Sequence, residues 1–280
     1  MRLLPLRVTT RLLFLLSVIF LFHVTHGSPT VRKPSIILVP GTFHRPTIYN
    51  QVVGLLRSAN YQRNFPIVLP SVGARASREK DVAAVRTVFL GELQRGQDVV
   101  LVGSSYGGTV IGEAVKGLTS MQRESVLGLV YFAGFIPLIQ DVEFPELKPS
   151  LRDIAPSFFR FSDADGKVYF DGDPAIPPRI SFYNDLSDAA AAYWTSQLLP
   201  SSLEATEANA TYIPYTGDYR CVFVVCEQDN ALPASTSDLY LNQPEAQFEV
   251  ESLNAGHVPM LSRPREVARI IRRVAGEQLG

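Results

Sequence analysis

The chain has 280 residues, enough for one large domain or two small ones. Its 26 Lys and Arg stand against 27 Asp and Glu, a formal charge of −1, which excludes a basic nucleic-acid binder and an acidic solvating tail. Hydrophobic residues make up 46% and charged residues 19%, a globular composition, and two cysteines are too few for a disulfide scaffold or a four-cysteine zinc site.

Arg2, Arg7 and Arg11 precede an apolar run from Leu12 to Phe22. Small or polar residues follow at Thr25, Gly27 and Ser28. The run is too short to cross a hydrocarbon core of about 30 Å as a helix. The pattern is that of a secretory signal peptide over residues 1–27, cleaved near Gly27, and the expected location is extracellular. An uncleaved signal anchor is the alternative reading. Loss of the three arginines takes the formal charge from −1 to −4.

From residue 35 the chain alternates between two periodicities. Ser35 to Val39 is a continuous apolar strand stopped by Pro40-Gly41. Residues 47–58 carry Ile48, Val52, Leu55 and Leu56 on one helical face. Ile67 to Leu69 reads as a short strand. Val82, Val85, Phe89 and Leu93 mark an amphipathic helix over 77–94. A strand over 98–103, a helix over 107–116 and a strand over 126–132 follow. Toward the end come strands at 222–226 and 248–253 and a helix from Pro264 to about Gly276. Apolar strands alternating with helices predict an α/β fold, a mostly parallel sheet with helices on both faces.

Residues 136–215 break the alternation. They hold nine of the 20 prolines and twelve of the 28 aromatic residues, so this stretch reads as an insertion over the sheet. Asp165-Gly166 between Phe161 and Val168 predicts a hairpin, and a helix is expected from Ser187, stopped by Pro200. The functional reading is a lid that forms an apolar substrate pocket; the alternative is a structural excursion with its own small core. The expected organisation is one domain over 28–280 bearing this insertion. Asn209-Ala210-Thr211 is a glycosylation sequon. Cys221 and Cys226 lie five residues apart on one strand, on opposite faces, and are expected to remain buried thiols.

Gly103-Ser104-Ser105-Tyr106-Gly107 matches G-x-S-x-G, with a strand running into it and a helix beginning after it. Two glycines permit a sharp turn with Ser105 at its apex, beside a helix N-terminus. A serine hydroxyl needs a base. His23 and His26 fall in the signal segment, which leaves His44 and His257. His257 sits between the last strand and the last helix and is the expected base. His44 sits after the first strand, in a loop suited to an oxyanion hole built from the Thr42 and Tyr106 backbone N–H groups. The orienting carboxylate is expected at Asp229, in the loop after strand 222–226, with Glu227 as its rival.

Ile36 to His44, Val102 to Gly108, Cys226 to Pro233 and Gly256 to Leu261 together resemble the α/β-hydrolases of the plant methylesterase and hydroxynitrile lyase group and their fungal and bacterial relatives. The likeness runs from about residue 35 to the end. Pro40 stands where that group has its first histidine, and Phe182-Tyr183-Asn184-Asp185-Leu186 is closer to the microbial relatives. The resemblance implies an α/β-hydrolase fold and a serine hydrolase that uses no cofactor and no metal. Its partner would be a small, largely apolar ester or lactone, with no nucleic acid and no stable membrane insertion after signal cleavage. Two other classes remain: a carbon–carbon or cyanohydrin lyase on the same fold, and a ligand receptor that retains the triad. The related lyases carry a lysine after the catalytic histidine and a threonine where this chain has Gly41. Here Val258 follows His257, so no charge is offered to a departing cyanide, and an apolar Val258 is expected to leave room for water at an acyl-Ser105.

Overall fold

A strand covered by helices on both sides must be near-continuously apolar, and Ile-Ile-Leu-Val after Ser35, whose hydroxyl donates to Glu92, has that composition. In the computed structural model, which describes residues 32–278, this run forms β1 (Ser35–Val39), buried throughout. It is followed by β2 (Asn64–Pro66), β3 (Val99–Ser104), β4 (Val126–Phe132), β5 (Arg160–Ser162), β6 (Lys167–Tyr169), β7 (Ser201–Ser202), β8 (Cys221–Cys226) and β9 (Glu249–Leu253). The main sheet has the order β2-β1-β3-β4-β8-β9, and every neighbouring pair is parallel.

The strand period of two divides the core. Ile36, Leu38, Val100 and Val102 lie in one buried cluster with residues of α1 (Asn50–Ser58) and of the helix Pro264–Val274. Ile37, Val39, Leu101 and Leu129 lie in a second cluster with residues of α2 (Arg78–Gln94) and α3 (Gly107–Ala114). Cys221 belongs to that second cluster, and both cysteines are buried free thiols. Burial pushes the Cys221 thiol up to about 12, which makes it inert as a nucleophile.

The second strand differs from the sequence expectation. Ile67 and Leu69 are buried, but β2 comes just before them, paired as Ile36↔Asn64 and Leu38↔Pro66. The sheet ends at β2, so Pro66, which lacks an N–H, is tolerated there, and the apolar pair beyond it packs into the second core cluster. At the other edge, β9 alternates Glu249, Val250 and Glu251 and is largely exposed. Glu249 pairs with Arg220 and Glu251 with Arg273, charges that discourage pairing with another chain.

Residues 136–215 contain the β5–β6 hairpin, paired Phe161↔Val168 with Gly166 at φ +63, and β7 added antiparallel to β6. The helix Asp188–Ser196 starts at Ser187, whose hydroxyl accepts the Ala190 N–H. Phe43, just beyond β1, packs its ring 5.2 Å from Phe159 and 5.7 Å from Phe170. Its N–H donates to the Ser201 hydroxyl at 2.8 Å. The signal segment lies outside the described residues. Among those described, no helix is long and apolar enough to cross a membrane.

Leu101 is fully buried in β3, between β1 and β4. Leu101→Ala is expected to lower unfolding stability by about 3 kcal/mol, read from the urea midpoint at unchanged slope, because the rigid sheet around it cannot collapse into the cavity.

Candidate active site

The chain leaves β1 toward β2 on one side and returns to β3 on the other, so the carboxyl ends of β1 and β3 flank the point where strand order reverses. That crevice is where open α/β sheets bind ligands. β3 ends at Ser104, and Ser105 sits at φ +50, in the left-handed region. A non-glycine residue held there stores on the order of 1–3 kcal/mol of strain. The turn is bound on all sides: the Ser105 N–H donates to the Phe132 carbonyl at 3.2 Å. The Ser105 carbonyl accepts from Gly108 at 2.8 Å and from Phe135 at 2.9 Å. The turn also requires absent side chains. A β-carbon on Gly103 would lie 2.5 Å from the Gly107 oxygen, and one on Gly41 would lie 2.7 Å from the Ser105 Cβ.

His257 and Asp229 meet beyond the carboxyl ends of β9 and β8. Both side chains are only 4% exposed, and His257 Nδ1 is 2.8 Å from Asp229 Oδ2. Asp229 Oδ1 accepts the Ala231 and Leu232 N–H groups at 2.8 and 2.9 Å, which holds the carboxylate toward the imidazole. Glu227 is exposed. Bonding at Nδ1 leaves Nε2 as the other working edge of the ring. Ser105, His257, Thr42 and Tyr106 all line one cavity of about 480 Å³.

The cavity walls are mostly apolar, with Phe135, Phe158, Phe159, Phe182, Leu232 and Tyr240 contributing. Many of these come from residues 136–215. Gly41, His44 and Val258, expected along the pocket or its loop, do not line it. Gly41 is covered by Ser105 itself, and Val258 is buried in a core cluster, so the space beside Ser105 owes nothing to the valine. His44 is buried behind the loop, with Nδ1 2.8 Å from the Thr42 carbonyl and Nε2 3.0 Å from the Tyr183 hydroxyl. Asn209, the sequon residue, is exposed, 3.4 Å from Lys148 Nζ.

Three charged groups went unread in the sequence. Asp81, fully buried, accepts the Ser71 N–H and the Tyr106 hydroxyl, each at 2.9 Å, and burial pushes its carboxyl up. Arg78 lines the cavity and donates to the Ala205 carbonyl at 3.1 Å. Lys148 also lines it, bonded to the Glu207 and Ala208 carbonyls, with its ammonium pushed down by burial. Arg78 and Asp81 open an ordinary amphipathic helix, and Lys148 lies in an irregular proline-rich run, so neither context carried a signal. Among the described residues, no group of three His, Cys, Asp or Glu side chains is placed to hold a metal ion.

A strained Ser105 at the switch point of a parallel sheet and a His257 bonded to buried Asp229 thus line one cavity. The model of the alpha/beta hydrolase family matches residues 36–270, and the chain belongs to that family. It is 31% identical to the alpha/beta hydrolase nvfD of Aspergillus novofumigatus, over 88% of this chain and 98% of that protein. It is 22% identical to methyl jasmonate esterase 1 of Vitis vinifera, over 87% and 97%. Among solved structures, polyneuridine aldehyde esterase superposes with a TM-score of 0.67 at 19% identity, covering 87% of this chain and all of that one.

Burial, partly offset by the Thr42 carbonyl, holds the His44 imidazole down at about 4. The unfolded chain therefore binds a proton near pH 6.5 that the folded chain refuses until about pH 4. Stability contributed by neutral His44 is complete above pH 6.5 and drains away as pH falls toward 4, amounting to about 3 kcal/mol. His44→Gln, which cannot titrate, is expected to show a flatter urea midpoint between pH 7 and 4 than the wild type.

Proposed function

We propose that the protein is a secreted serine hydrolase that cleaves a small, largely apolar carboxylic ester or lactone without a cofactor. The observation that carries this reading is that Ser105, at its strained turn, and His257, bonded to Asp229, line one mostly apolar cavity. Ser105 Oγ attacks the ester carbonyl while His257 Nε2 takes its proton. The Thr42 and Tyr106 N–H groups stabilise the oxyanion. The proton returns to the departing alcohol, leaving an acyl group on Ser105. Water, deprotonated by His257, attacks the acyl carbon, and the acid departs as His257 returns the proton to Ser105 Oγ. Asp229 holds the His257 tautomer and stabilises the imidazolium. The similarity to methyl jasmonate esterase 1 supports an ester as the substrate class.

Ser105→Ala is expected to lower turnover of short-chain p-nitrophenyl esters by at least about 10³-fold, and His257→Ala by nearly as much; Asp229→Asn is expected to cost about 10²-fold or more. Full activity in Ser105→Ala would overturn the assignment.

The lyase reading needs a charge for the departing cyanide, and the residue after His257 is a buried valine. A threonine at Gly41 would meet Ser105 on this backbone. The protein is therefore expected to release no cyanide from mandelonitrile above background while it hydrolyses esters.

Secretion and glycosylation belong to the same proposal. Secreted material is expected to begin near Ser28 and to lose mass on glycosidase treatment, with Asn209 as the attachment site. Asn209 is exposed, which a glycan requires.

A further inference from the structure

One short stretch of the insertion, residues 180–185, touches the loops that carry His44, Asp229 and His257. The Ile180 carbonyl accepts Asn230 Nδ2 at 3.0 Å, next to Asp229. The Phe182 ring lies 5.6 Å from the His257 ring and 5.3 Å from the His44 ring. Tyr183 bonds His44. Asn184 Nδ2 donates to the Gln228 carbonyl at 2.8 Å, and Asp185 Oδ2 accepts the Gly256 N–H at 2.7 Å. Gln228 immediately precedes Asp229, and Gly256 immediately precedes His257.

Two features separate Asn184 and Asp185 from ordinary turn residues. Asn and Asp side chains commonly bond their own neighbouring backbone. Here they reach instead to partners 44 and 71 residues away. The fit is also close: a β-carbon on Gly256 would lie 2.9 Å from Asp185 Oδ1. The two triad loops are joined to each other as well, through the Gln228 N–H and the Ala255 carbonyl at 3.0 Å. The pair Asn184–Asp185 therefore spans both ends of the Asp229–His257 hydrogen bond from outside the sheet.

We propose that Asn184 and Asp185 are positioning residues for catalysis, acting through Gln228 and Gly256 to hold Asp229 against His257. The inference rests on the hydrolase reading above. Its physical basis is that a misplacement of about 1 Å in a catalytic group costs on the order of 10² in rate. It also couples the insertion to the chemistry: any displacement of residues 180–185 loosens the triad as it uncovers the cavity.

The test compares wild type, Asp185→Ala, Asn184→Ala and Asp185→Asn with p-nitrophenyl butyrate as the probe. Asparagine keeps an oxygen that can accept the Gly256 N–H. Asp185→Ala is expected to lower kcat by about 10- to 100-fold with KM changed less than about threefold, Asn184→Ala by less, and Asp185→Asn is expected to keep kcat within about fivefold. A purely structural role would lower thermal stability and leave kcat of the folded fraction unchanged, which would overturn the inference. Wild-type protein without ester turnover would instead overturn the hydrolase reading. A substrate-free arm decides the positioning role in that case: the downfield proton NMR signal of the His257 Nδ1–H, in its bond to Asp229. Loss or broadening of that signal in Asp185→Ala, with retention in Asp185→Asn, supports the proposal; an unchanged signal in both alanine variants overturns it. Should Asp185→Ala fail to fold, Asn184→Ala, at an exposed position, carries both readouts.

Discussion

Everything at this site depends on how closely the end of β1 approaches the end of β3. The two strands pair along their full length, Ser35↔Val99 through Val39↔Gly103, and the loops beyond them stay in contact. Gly41 lies against Ser105, and the Ser105 turn is pinned by Phe132, Gly108 and Phe135. These bonds over-determine a backbone conformation that serine alone would avoid. Ser105 is consequently presented to the cavity at the end of β3.

Burial sets the electrostatics around that turn. Burial keeps His44 neutral beneath the loop after β1, so it links Thr42 to Tyr183 without adding charge beside His257. Asp81 accepts the Tyr106 hydroxyl, which anchors the ring of the residue that follows Ser105. Asp229 receives two backbone N–H groups in addition to His257, enough partners for a carboxylate that water scarcely reaches.

The insertion works against the same core. Phe43 leaves the sheet and enters the aromatic group of Phe159, Phe170 and Phe182, while Phe182 continues onto His257. Apolar packing thus forms part of the cavity wall, and Asn184 and Asp185, just after Phe182 in the chain, bond the loops that carry Asp229 and His257. The cavity presents mostly ring and aliphatic surface, with Arg78, Lys148 and Asp141 as the charged residues along it.

Much of this protein could be read from local pattern. Strands buried on both faces are apolar without interruption, so β1, β3, β4 and β8 stood out, and the glycines around Ser105 announced a sharp turn because no other residue fits there. β2 was misplaced because three residues at a sheet edge, one of them proline, carry almost no periodicity, whereas the buried Ile67 and Leu69 beyond them imitate a strand. His257 and Asp229 were legible from chain order relative to strands. What only the tertiary structure decided are the contacts between distant segments: Asp81 on Tyr106, Tyr183 on His44, Asp185 on Gly256, and the removal of Val258 from the cavity. Such contacts depend on where the chain returns after 25 to 139 residues, and neither propensity nor spacing encodes that distance. The sequence by itself determined which backbone turns were possible; the packed sheet decided which side chains meet at them.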